Sequence, residues 1–215
     1  MYKILTNLPK IPSDLIEKTW HKLNFETNQD LAENVAEFYQ MKNEFNGYAS
    51  RTVKKDGAML KSSMSKRSAT PPELTNWINE NITSNYTESS ISITDSNISN
   101  LHAPHVDHSR RYLLIYVLQS GGPDVVNQWY KEKTQPLKRF GQPWLAFNDY
   151  DQLEVVGSLK IPENTWAILD SQIIHSVENL INNRVTIQIG ILSPSLADVD
   201  SIDQLEIVKF NDELI

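Results

Sequence analysis

From residue 90 onward the chain is cut into short β-rich segments, and most of them have no helix-sized stretch between them. "SISIT" alternates in polarity, and "RYLLIYVLQS" is rich in β-branched and aromatic side chains until it stops at Gly121-Gly122. "LEVVGSL" follows, then "TWAILD" after Pro162-Glu163-Asn164, then "RVTIQIGIL" after Asn182-Asn183. Short strands punctuated by Gly, Pro and Asn build antiparallel barrels and sandwiches.

The first third reads as helical. "PSDLIEKTWHKLNF" offers Ser13 or Asp14 as N-cap and spaces Ile16, Trp20 and Leu23 along one apolar face. "DLAENVAEFYQMKNEF" repeats that pattern with Leu31, Val35, Phe38 and Phe45. A third helix is expected from Thr70, with Pro71 in the first helical position, a capping box between Thr70 and Glu73, and Leu74, Trp77 and Ile78 on the buried side. Between the second and third helices, residues 46–69 show no period. They carry Arg51, Lys54, Lys55, Lys61, Lys66 and Arg67 against Asp56 alone. A loop of that length is either solvated or a lid that greets an anionic ligand.

At 215 residues the chain fits a single domain. Residues 1–89 would be helical support with the 46–69 loop, 90–192 a β-barrel core, and 193–215 a C-terminal extension. The expected fold is mainly β with N-terminal helices. A net charge of −7 argues against general attraction to nucleic acid or to anionic lipid. With no cysteine, disulfides, zinc–thiolate sites and iron–sulfur clusters are excluded, so a metal must be held by His, carboxylate or backbone. "MYKILTNLPKIPSDL" lacks the apolar run of a signal peptide, and nothing resembles a membrane span; a soluble, cytoplasmic location is expected.

Three of the five histidines lie in "LHAPHVDHSRR", just ahead of the apolar run. Residues two apart on a strand point the same way, so His105 and Asp107 project together, while His108 has the opposite parity. His102, beyond Pro104, is expected to face elsewhere. His21 reads as a surface residue of the first helix. His175, at the end of "TWAILDSQIIH", is placed to return to the first pair and complete a two-His, one-carboxylate set. Nine residues further, Arg184 opens an otherwise apolar strand, with Thr186 on the same face. A buried guanidinium needs an anionic partner, and its own strand offers none.

His-x-Asp, a distal His 68 positions after Asp107, then Arg and Thr together resemble the Fe(II)- and 2-oxoglutarate-dependent oxygenases, in particular their prolyl-hydroxylase-like members. The resemblance covers residues 90–192 and implies a double-stranded β-helix, a jelly-roll or cupin-like barrel. It implies Fe(II) on His105, Asp107 and His175, and 2-oxoglutarate gripped at its far carboxylate by Arg184 with Thr186. It also implies O2 as co-reactant, ascorbate as a supporting reductant, and hydroxylation of a substrate the sequence does not name. Relatives often add a tyrosine from the strand after His-x-Asp. Tyr116 takes that place here, with Tyr112 as an alternative, unless the alignment puts Val117 there instead. Asp107 as the carboxylate argues against the halogenating branch. Trp129, Trp144 and Trp166 read as core residues that also suit a cavity wall. Two other readings stand beside the oxygenase: a cupin-like barrel with a non-redox metal, and a binding module with a vestigial site.

Overall fold

The computed structural model describes residues 2–29, 52–63, 65–107, 110, 112–133, 145–146 and 149–191. The expected helix over 30–45, His108, Trp144 and the 193–215 extension lie outside the described residues.

Two antiparallel sheets face each other. The larger has the strand order β1 (Tyr2–Leu5), β11 (Trp166–Asp170), β7 (Tyr112–Gln119), β13 (Arg184–Gly190), β5 (Glu88–Thr94), β4 (Ser65–Ala69). The smaller runs β10 (Leu153–Leu159), β8 (Val126–Glu132), β12 (Ile174–Glu178), β6 (His102–Val106), β9 (Leu145–Ala146). A separate hairpin, β2 (Thr52–Lys55) and β3 (Ala58–Lys61), completes the β structure of the described residues. The result is a β-sandwich of jelly-roll-like character, and the expected strands β5, β7, β10, β11 and β13 all form.

Strand β7 explains the layering. "YLLIYVL" is buried on both faces, as an inner strand covered on both sides must be. Tyr112, Leu114, Tyr116 and Leu118 join Trp166, Ile168, Val185, Ile187 and Ile189 in the core beneath the helices. Leu113, Ile115 and Val117 point the other way, into the space between the sheets, with Ala167, Leu169 and Trp129.

Helix α1 (Ser13–Gln29) buries Leu15, Thr19 and Leu23, while Ile16 and Trp20 flank that line half-buried. The apolar stripe is therefore centred one residue before the expected one. Helix α2 (Pro72–Asn81) starts later than its sequence suggested. Pro71 is the cap residue, Pro72 opens the helix, and no side chain caps it. The Thr70 hydroxyl is instead within 2.8 Å of the Thr75 hydroxyl and 2.7 Å of that of Ser89, which ties the helix to β5. Leu74 and Ile78 are fully buried and Trp77 is half-buried.

The described part of the 46–69 segment is paired rather than looped. Asp56 and Gly57, both at positive φ, turn the β2–β3 hairpin. This is the conformation that an Asp-Gly pair favours in a two-residue turn. Val53 is fully buried against the outer face of the smaller sheet, in a cluster with Ala103, Tyr130, Tyr150 and Ile174. Glu178 anchors the hairpin: its carboxylate accepts from Lys55 Nζ at 2.9 Å, Tyr150 Oη at 2.6 Å and Ser176 Oγ at 2.6 Å. Residues 65–69 form the edge strand β4 on β5. Among the described residues, no helix is long and apolar enough to cross a membrane.

Candidate active site

His105 and His175 are cross-strand partners on β6 and β12, with ring centroids 4.4 Å apart. Each ring's Nδ1 lies 2.8 Å from a carbonyl two residues back, Ala103 O for His105 and Ile173 O for His175. A carbonyl only accepts, so Nδ1 is the donor in both rings, and in a neutral ring with that proton the lone pair is on Nε2. Burial, with His175 and His102 close by, pushes the His105 imidazole well below its usual value and keeps it neutral. His105, Asp107 and His175 are all buried, and their donor atoms lie within 4.8 Å of one another. Two neutral nitrogens and one anionic oxygen suit a divalent first-row metal.

His102 does not face elsewhere. From His105 to His102 the strand advances three residues while its partner advances two, from His175 to Val177. The additional residue is a β-bulge at Ala103-Pro104, where proline's missing N–H costs the ladder nothing. The bulge restores the parity, and the His102 ring lies 4.5 Å from that of His105. His21 is exposed on α1, as expected.

Asp107 follows the last residue of β6, and its N–H donates to Ser171 O at 2.9 Å. Arg110, 2% exposed, faces it, with Nε donating to Asp107 Oδ2 at 2.9 Å and Nη2 at 2.8 Å from the same oxygen. The third arm of the guanidinium, Nη1, donates to Glu88 Oε1, which also receives Arg67 Nη1 at 3.2 Å. Burial alone would raise the Asp107 carboxyl; Arg110, with His105 and His175 close by, more than offsets it and holds the carboxyl well below the usual carboxylate range. The turn between β11 and β12 fixes this segment: Ser171 Oγ donates to Arg110 O at 2.8 Å, and the Gln172 amide donates to Asp107 O and Arg110 O.

Arg184, 4% exposed, opens β13, and its side chain crosses to the smaller sheet, where Nη2 lies 3.4 Å from Asn127 Oδ1. No carboxylate among the described residues pairs with it, and burial draws the guanidinium down to about 10. Asn127 lies opposite Val177, and Trp129 opposite His175, on β8. The guanidinium's partner is thus two strand positions from the histidines, about 7 Å at the usual rise. Thr186 shares the inner face. Three successive cross-strand pairs there are polar throughout, Arg184 with Thr94, Thr186 with Ser92 and Gln188 with Ser90. Ser90 Oγ, Ser92 Oγ and Gln188 Oε1, and Trp129 Nε1 on β8, are buried without a hydrogen-bond partner among the described residues.

Tyr116 is not brought to these residues. It stands opposite Ile187 on the helix-facing side, its ring 4.9 Å from that of Trp166, while Val117 opposite Thr186 faces inward. Tyr112 is on the helix side too, as is Trp166; Trp129 alone of the described tryptophans lines the space beside the histidines. Four of the six cations of the basic segment are paired with carboxylates. Lys54 pairs with Asp151 at 2.9 Å, Lys55 with Glu178 at 2.9 Å, Lys66 with Asp95 at 3.5 Å and Arg67 with Glu88. Sequence reading missed Arg110, Glu88, Asn127 and the Ser90–Ser92–Gln188 column. Only Arg110 had a local signal, a basic residue three positions after Asp107.

No family model and no curated protein matches the sequence. Among solved structures, the chain is similar to YcfD of Escherichia coli, described as a ribosomal oxygenase. The TM-score is 0.41 and the identity 16%, over 76% of this chain and 48% of that one. This chain therefore spans about half the length of that protein. It is also similar to a prolyl-4-hydroxylase of Pseudomonas putida, with TM-score 0.40 and 10% identity over 90% of this chain and 93% of that one. A third likeness is to dTDP-4-dehydrorhamnose 3,5-epimerase of Bacillus anthracis, with TM-score 0.29 and 10% identity over 69% and 73% of the two chains. Each of these is a likeness of fold.

Proposed function

We propose that this chain is an Fe(II)- and 2-oxoglutarate-dependent oxygenase, a hydroxylase whose β5–β13 segment is a double-stranded β-helix. One observation carries the reading: a His105–Asp107–His175 donor set shares an interior with Arg184, a buried cation whose partner among the described residues is an amide and not a carboxylate. The donor chemistry fits Fe(II), and the orphaned polar atoms of Ser90, Ser92 and Gln188 fit a space whose polar wall awaits a ligand. When bound, iron and 2-oxoglutarate supply the oxidising chemistry, oxidative decarboxylation to succinate coupled to hydroxylation of a substrate by O2.

The chain's own part is to hold and orient. His105 and His175 offer Nε2 with their rings fixed by backbone carbonyls, and Asp107 offers a carboxylate fixed by Arg110. Arg184 gives the far carboxylate of 2-oxoglutarate a fork of donors, steadied by Asn127. The Thr186 hydroxyl accepts from Gln188 Nε2 at 3.3 Å, which leaves its own hydrogen to donate to the same carboxylate. Leu113, Ile115, Val117 and Trp129 form an apolar wall that keeps water from the oxidant. Tyr116 has no part in this arrangement, and the substrate's approach is left to the polar side.

A cupin-like barrel with a non-redox metal accounts for the three donors but gives no reason for a buried Arg184 that meets no carboxylate among the described residues. Anaerobic addition of Fe(II), then 2-oxoglutarate, to the purified protein is expected to produce a visible charge-transfer band with one iron per chain. Substrate candidates are then screened, with ascorbate present, for stimulated succinate release. Tight binding of zinc with no such band from iron would overturn the oxygenase reading.

A further inference from the structure

A carboxylate can give a metal one oxygen or two, and the choice decides how many positions remain for other ligands. At Asp107 the choice is constrained from behind. Arg110 places two N–H groups on the same oxygen, Oδ2, at 2.9 and 2.8 Å. The other oxygen, Oδ1, is turned to the histidines, 3.9 Å from His105 Nε2. Arg110 is itself immobilised: it is 2% exposed, its remaining arm is on Glu88, and its carbonyl is held by Ser171 and Gln172. Arg67 closes the chain by pairing with Glu88 from the edge strand β4. The four groups, two guanidiniums and two carboxylates, sum to no net charge.

We propose that Arg110 is a positioning residue that restricts Asp107 to single-oxygen coordination through Oδ1, keeping a further coordination position open. The inference rests on the proposed reading of His105, Asp107 and His175 as the metal site. Outer partners of metal-bound residues orient them and commonly account for a ten- to hundred-fold share of metal affinity. The Arg110 fork sets two donors on the single oxygen Oδ2; a lysine would supply the charge without the fork.

The test uses Co(II) as the metal, under anaerobic conditions, on the whole chain and on Arg110→Lys and Arg110→Gln. Co(II) is expected to bind the parent once per chain. The metal-minus-apo infrared difference spectrum should show a widely split pair of carboxylate stretches, the signature of single-oxygen coordination. Both variants, where folded by circular dichroism, should bind Co(II) about ten- to a hundred-fold more weakly. Their visible spectrum should change in intensity as Asp107 engages through both oxygens. A narrow splitting in the parent overturns the inference even if neither variant folds. So do folded variants that match the parent in affinity and spectrum, leaving Arg110 a support of the fold. Failure of the parent to bind Co(II) at all overturns the metal-site reading itself, an outcome distinct from the other two.

Discussion

Burial draws the Arg184 guanidinium down only to about 10, so at neutral pH it is charged in the folded and the unfolded chain alike. A cation whose folded value is depressed gains stability only as the pH climbs past that value, so through the neutral range its burden on the ligand-free fold is constant. Arg184→Gln removes a charge for which the described residues offer no carboxylate, and the variant is expected to melt no lower than the parent without ligand. With 2-oxoglutarate the order reverses. Losing one charge-assisted bond costs about 1.5–3 kcal/mol, or roughly ten- to a hundred-fold in an equilibrium constant. Titration of the charge-transfer band should show that increase in the 2-oxoglutarate requirement, with Fe(II) binding nearly unchanged. A variant that unfolds instead would make Arg184 a structural ion-pair partner.

At the level of elements, Gly121 controls how Arg184 is delivered. The 179–183 turn crosses the end of β7, where Gly121 O accepts from both Ile181 N–H at 3.0 Å and Asn182 N–H at 2.9 Å. Gly121 has φ +91, and a Cβ there would meet Leu180 Cδ2 at 2.7 Å and Asn182 O at 3.0 Å. Gly57 also has positive φ, but a Cβ there would meet nothing. Gly57→Ala should therefore cost about 1 kcal/mol from backbone strain alone. Gly121→Ala should cost more, by denaturant midpoint, and also weaken 2-oxoglutarate binding. The hairpin has its own lock. Glu178→Ala would leave Lys55 unpaired and take the acceptor from the Tyr150 hydroxyl, while Tyr130 and Ser176 keep each other, and is expected to cost about 1–3 kcal/mol, measured in the same way. Protease should cut within 52–61 rarely in the parent, with or without ligands, and readily in that variant. Cutting that ligands suppress in the parent would restore the lid. The Asp-Gly pair announced this hairpin, but the surrounding lysines masked it, because their carboxylates sit more than eighty residues away. The alternating strand β5 was legible for the opposite reason, that its period is local. The bulge at Pro104 was not, since a register shift is a property of two strands and appears in neither alone. Tyr116 was misplaced by the same limit: period-two parity separates it from Val117 but does not say which face is which.

Across the whole molecule the donor set and the arginine belong to different layers. His105, Asp107 and His175 stand on or beside strands of the smaller sheet, Arg184 and Thr186 on the larger. On the proposed reading, metal alone would brace β6 against β12 within one layer, and His175→Ala should lose that bracing first and 2-oxoglutarate only as a consequence. A molecule that reaches from the metal to Arg184 does something else. It becomes a strut between two plates that otherwise touch chiefly through the apolar side chains of β7, β11 and β8. Amide hydrogen exchange in β12 and β13 should slow together when Fe(II) and 2-oxoglutarate are both present, and not with either alone. In the proposed reaction the loss of one carbon as CO2 would leave succinate, a strut one carbon shorter with a single carboxylate in place of the keto acid's paired donors, so turnover would itself slacken the joint between the plates and loosen the hold on the spent fragment.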